Sequence, residues 1–206
     1  MLRTRTLAAL VLAIATVAAP ALAADVTWRV DPNHSSAEFG IKHFALSSVK
    51  GVVPIKEGAL VLADGKDIPS HIDAVLDISK IDTKQENRDK DLRSPNWFDT
   101  DKFPLATFKS TKIDGNDPKK FSITGDLTMH GVTKPITFEG HLEGRGQGSR
   151  GEKRIAYTAN ALVHREDWGL SDAHTNPVGD LVVAKDADVS FSIEAIIPAP
   201  PAAPAK

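Results

Sequence analysis

The sequence predicts an all-β domain, folded as a sandwich or closed into an up-and-down barrel, with one short helix. Three observations carry this. Stretch after stretch alternates apolar and polar residues with period two, turn residues separate the stretches at regular spacing, and a single stretch is compatible with a helix. No strand–helix–strand alternation occurs, so a parallel sheet is not expected.

The elements follow in order. Val26, Trp28 and Val30 alternate with polar neighbours as a first strand, ended by the turn cluster Asp31, Pro32 and Asn33. Ala37, Phe39, Ile41 and His43 share one face of a second strand. A third covers residues 49–55, where Pro54 cannot donate to a ladder and so implies an edge or a bulge. Glu57 and Gly58 separate it from residues 59–62, and Asp64, Gly65 and Lys66 form a hairpin-type turn. Ile72, Ala74, Leu76 and Ile78 align on the next strand. Residues 85–92 are polar and helix-compatible, and Ser94-Pro95 stops them. Trp97 and Phe98 follow in a loop, with nowhere to bury two large rings except the core or its mouth. Ala106, Phe108 and Ser110 mark another strand.

The clearest unit is a hairpin over residues 121–142. Ile123, Gly125, Leu127 and Met129 fall on one face going up, and Ile136, Phe138, Gly140 and Leu142 coming down, around a tip at residues 130–134. Residues 144–151 have the composition of a flexible turn. Ile155, Tyr157, Ala159, Ala161 and Val163 line one side of a long strand. Residues 164–179 read as a loop, residues 181–184 and 189–197 as two last strands, and residues 198–206 as an unfolded Pro/Ala tail.

Residues 1–23 read as a cleaved secretory leader. Arg3 and Arg5 precede a short apolar run, and Ala21-Leu22-Ala23 is an A-x-A cleavage signal. The run is too short to span a bilayer, so an exported, periplasmic domain without stable membrane insertion is expected. Cysteine is absent, so burial alone must hold the fold. The net charge of −2 argues against nucleic-acid partners.

Catalytic patterns are missing. The seven histidines form no HxH, HExxH or HxxxH pair, so no metal site is expected. G-x-S-x-G and P-loop patterns do not occur, so neither an enzyme nor a cofactor protein is predicted. The inward faces are the candidate site instead. Phe39, Ile41, Phe108, Leu127, Met129, Phe138, Tyr157, Phe191 and Ile193 recur at strand spacing, with Ala37, Ala74, Ala106, Gly125, Gly140, Ala159 and Ala161 between them. Such residues either pack together or, where small ones adjoin aromatics, leave a channel for a thin chain.

Five segments resemble the YceI-like, polyisoprenoid-binding family of exported bacterial proteins. They are residues 30–35; Arg88, Asp89 and residues 92–99; Phe103-Pro104 with residues 107–110; residues 125–135; and residues 165–170. The resemblance implies an eight-stranded antiparallel, lipocalin-like barrel with an extended hydrophobic pore. It implies an isoprenoid quinone or polyprenyl lipid in that pore, and no catalytic residues. Phe98 would contact the lipid too, and the head would sit at the mouth, in reach of His130, Arg165 and Trp168, with Arg165 equally placed to serve as a structural ion-pair partner of Glu166 or Asp167. It also admits a homodimer. The rival expectations are an enzyme or accessory factor acting on such lipids or on a respiratory partner, and a filled structural barrel with a protein partner.

Overall fold

The computed structural model describes residues 24–171 and 182–198. The expected leader, residues 172–181 and the tail from residue 199 lie outside the described residues. The alternation seen in the sequence becomes β1 (Asp25–Val30), β2 (Ser36–His43), β3 (Ser47–Ala63), β4 (His71–Asp77), β5 (Leu105–Asp117), β6 (Lys120–Met129), β7 (Val132–Gln147), β8 (Lys153–His164) and β9 (Val183–Ile197). One α-helix, α1 (Glu86–Arg93), lies between β4 and β5, and a 3₁₀ turn, Arg165–Trp168, follows β8.

Every pairing is antiparallel, and β3 pairs with β4 to close the ring. Closure leaves no free edge among the described residues. Nine strands make eight staves, because β1 and β2 share one position. Residues 25–29 pair with residues 59–63 of β3, residues 36–43 pair with residues 47–54, and both strands pair with β9. The jog between them is tied to β9. Asp31 N–H donates to the Glu194 carbonyl at 2.8 Å, and Ser35 Oγ bonds both the N–H and the carbonyl of Glu194. Pro54 stands at the last β2 rung, opposite Ser36, where β3 changes partner and a missing donor costs little.

Several boundaries differ from the sequence reading. β3 runs unbroken through Glu57 and Gly58, absorbing the irregularity as a register shift between Ile55 and Glu57. Gly58 is there for close approach: a Cβ would lie 2.9 Å from the Asp73 carbonyl. β7 continues past Gly144 to Gln147, and β9 is one strand with a shift against β2 rather than two. The central hairpin tip is only His130 and Gly131, both at positive φ, the mirror-image turn that suits strand twist.

The barrel has two ends. The base holds the turns at residues 64–70, 118–119 and 148–152; the mouth holds the β2–β3 turn, residues 78–104, the His130–Gly131 turn and the Arg165–Trp168 turn. The larger core fills the base with Trp28, Leu62, Phe121, Leu142, Ile155 and Tyr157. Arg145 staples the base loop, bonding the Asp67 carboxylate at 2.7 Å with its guanidinium over the Trp28 ring. A smaller cluster of Ala37, Val53, Leu76, Ile78, Ile81 and Ala106 lines the wall nearer the mouth.

Candidate functional site

Above the filled base the barrel is hollow. The inward faces of β2, β3, β6, β7 and β9 enclose a cavity of about 540 Å³, within the size range of small-ligand pockets. Phe39 and Ile41 face it from β2, Leu127 and Met129 from β6, Phe138 from β7 and Phe191 from β9. Phe98 reaches it from the loop after α1.

Its floor is aromatic. Phe108 and Phe138 meet edge to face at 5.4 Å, and Phe138 and Phe191 at 5.3 Å. Crossed rings of this kind attract beyond simple burial. The sequence reading put Phe108 among the ligand contacts, but it sits behind the floor, buried, with its ring over Gly125. Tyr157 lies lower still, in the base, donating its hydroxyl to the Asp67 carbonyl at 2.7 Å. Gly125 and Gly140 were expected to open a channel. They do the reverse: a Cβ at Gly125 would lie 2.5 Å from the Phe108 ring, and one at Gly140 would lie 2.7 Å from the Phe121 ring. The glycines are seats for rings. Ala37 and Ala106 do border the cavity, whereas Ala159 and Ala161 pack against the larger core.

The mouth is framed by α1, which the sequence reading left out of the site. Asn87, Arg88 and Asp91 border the opening, with Leu92 as the helix's apolar contribution. Local bonds hold the helix. Gln85 caps its N-terminus, buried Asp89 accepts the Thr83 N–H at 2.8 Å, and Arg88 donates to the Thr83 hydroxyl at 2.7 Å and carbonyl at 2.8 Å. Ile78 and Ile81 were the available signal: apolar residues three apart, just after a strand, need a core to face.

Three residues expected to meet a ligand head do other work. His130 lies outside the cavity lining, its Nδ1 3.1 Å from the Trp168 carbonyl and its ring against Phe103. Trp168 is buried in the wall because its indole N–H reaches the Leu127 carbonyl at 3.0 Å. Arg165 does border the cavity, yet only 4 % of it is exposed. Its guanidinium donates to the carbonyls of Leu170, Val183 and Ala184 and lies 5.4 Å over the Trp97 ring. Trp97 in turn donates to Asp91 at 3.0 Å, linking the wall to α1.

The groups whose protonation the fold biases lie elsewhere. Burial pushes the Tyr157 hydroxyl up, and donating a hydrogen bond to the Asp186 carboxylate raises His164. One trio of metal-ligating types converges among the described residues, Asp31, His34 and Glu194. The Arg154 guanidinium is bonded to both carboxylates there, and the His34 hydrogen bond lowers Asp31. The trio pins the jog between β1 and β2.

The family described as "YceI-like domain" matches residues 28–195. The protein YceI of Escherichia coli O17:K52:H18 is 32% identical over 182 residues, covering 87% of this chain and 90% of that protein. A UPF0312 protein of Yersinia pestis (strain Pestoides F) is 31% identical with the same coverage. Among solved structures, a Campylobacter jejuni YceI protein superposes with a TM-score of 0.64 at 25% identity, covering 77% of this chain and 90% of that one. A polyisoprenoid-binding domain from Saccharophagus degradans, implicated in plant cell wall breakdown, superposes at 0.59 with 15% identity, covering 86% and 99%.

Proposed function

The chain belongs to the YceI-like domain family, and from that premise and its cavity we propose that it binds a single long-chain isoprenoid lipid, tail first. The observation that carries the reading is a blind apolar cavity with one polar rim. A hydrocarbon tail enters past α1 and runs down to the rings of Phe138 and Phe191. Each methylene taken out of water contributes about 0.8 kcal/mol, so a tail burying well over about ten carbons can bind tightly without any specific polar contact. Asn87 and Arg88 are the groups placed to meet a quinone ring or a phosphorylated head at the rim.

The reading includes transport and excludes turnover. An exported carrier would shield such a lipid across the aqueous periplasm, which agrees with the leader expected at residues 1–23 and with the polyisoprenoid-binding description of the Saccharophagus degradans domain. The expected catalytic machinery is none, and the ligand is lipid rather than cofactor.

Mass spectrometry of organic extracts, from protein purified out of the periplasm without detergent, tests this. A stoichiometric isoprenoid supports the carrier, and its mass distinguishes quinone from polyprenyl lipid. Protein that arrives empty and takes up neither class on mixing ends the reading.

A further inference from the structure

The turn joining β2 to β3 has a composition its backbone does not favour. Leu46 N–H donates to the His43 carbonyl at 3.0 Å, and the two residues between, Phe44 and Ala45, both sit at positive φ, 51° and 55°. Such mirror-image turns normally carry Asn-Gly or Gly-Gly, because a Cβ is crowded there. The His130–Gly131 turn at the same end of the barrel keeps a glycine. Backbone strain of this kind gathers where function requires it.

What the strained turn presents is hydrocarbon. Leu46 is 85% exposed and Phe44 39%, two large apolar side chains one residue apart at the tip. The tip is fixed at the cavity entrance: Phe44 N–H donates to the Val182 carbonyl at 2.8 Å, and Val182, His43 and Val49 all line the cavity. Lys42 and Lys50 stand exposed on the same two strands just behind the tip, Lys42 at the cavity's edge, and both share an outer groove with Glu38, Asp186 and Asp188. Neither has an ion pair among the described residues.

We infer that this tip docks on a bilayer containing anionic phospholipid. Phe44 and Leu46 enter the outer edge of the hydrocarbon, and Lys42 and Lys50 meet the headgroups. The cavity entrance then faces the surface from which a lipid is loaded or to which it is returned. Two apolar side chains are too few for anchoring, and the acidic net charge keeps contact local and brief. The loading role rests on the lipid-binding reading; the docking itself does not.

Sedimentation of the purified mature protein with vesicles of phosphatidylethanolamine and phosphatidylglycerol tests the docking. The wild type should co-sediment, less so in high salt, and Leu46→Glu should weaken vesicle binding by roughly tenfold or more. Phe44→Gly, which relieves the backbone while removing the ring, should weaken it too and raise the melting temperature. Both variants should bind radiolabelled polyprenol added from ethanol, without vesicles, as well as the wild type does. Wild type that stays in solution, or a Leu46→Glu variant that sediments like it, overturns the docking. So does loss of ethanol-delivered polyprenol in Leu46→Glu, since the tip would then belong to the cavity wall. A wild type that sediments with vesicles but takes no polyprenol overturns the cargo reading and leaves the docking supported.

Discussion

At the base of the barrel Phe121 lies over Gly140 and crosses Tyr157 edge to face at 6.1 Å, while Trp28, Leu142 and Ile155 close the remaining space. At the mouth end the same staves turn Ala37, Ala106, Val49 and Val189 inward, and a cavity of about 540 Å³ remains. Both ends obey one alternation and one girth. An eight-stranded barrel is just wide enough for side chains to fill, so a few residues decide which end is solid. Rings lean over inward glycines at both ends, Phe121 over Gly140 in the base and Phe39 over Gly51 nearer the mouth. The mouth end uses small aliphatic residues on facing staves. Filling the base stabilises the fold; leaving the mouth end hollow gives it something to bind.

Substitutions can break or sharpen that division. Phe121→Ala should have the largest effect, about 3–5 kcal/mol of stability lost in urea unfolding. The folded fraction should still bind polyprenol, and loss of binding along with stability would mean the two ends are not separable. Val189→Trp reverses the test by filling the hollow. Polyprenol affinity should fall roughly a hundredfold while the unfolding free energy changes by about 1 kcal/mol or less. Gly125→Ala should cost about 1–3 kcal/mol with affinity kept, because the added methyl meets the Lys109 carbonyl and the Phe108 ring rather than open space. A drop in affinity without destabilisation would return Gly125 to the cavity.

The smallest effect near neutral pH concerns Tyr157, the chain's single tyrosine. Burial raises its hydroxyl pKa above the ordinary value. A raised folded-state value means its contribution to stability is complete below the unfolded value of about 10 and is lost as pH climbs beyond it. Tyrosinate absorbance should therefore stay flat through that region and rise together with alkaline unfolding. A separate earlier rise would show the base to be wet.

Strand existence and inward faces were legible in the sequence because period-two alternation dictates them. Phe39, Ile41, Leu127, Met129, Phe138 and Phe191 do face the cavity. Phe108 and Tyr157 obey the same alternation yet fall below or behind it, since alternation fixes the side of a residue and not its height in the barrel. Three glycines were misread for one reason. Gly58 reads as a break between strands, and Gly125 and Gly140 read as room for a channel, but each marks a close approach, by the Asp73 carbonyl, the Phe108 ring or the Phe121 ring. The mouth was the least legible part. Arg165 and Trp168 look like ligand contacts in sequence, and only tertiary structure shows their donors spent on the backbone carbonyls of β9, Leu170 and β6.

The stave shared by β1 and β2 also bears on how the chain is made. Its bonds to β9 join distant residues such as Ser35 and Glu194, 159 positions apart along the chain. Contacts that distant form slowly and only once both ends exist. The ring therefore cannot lock until the final strand has emerged from the ribosome. Until then the nascent polypeptide stays open along one seam. β9 is the keystone, set last.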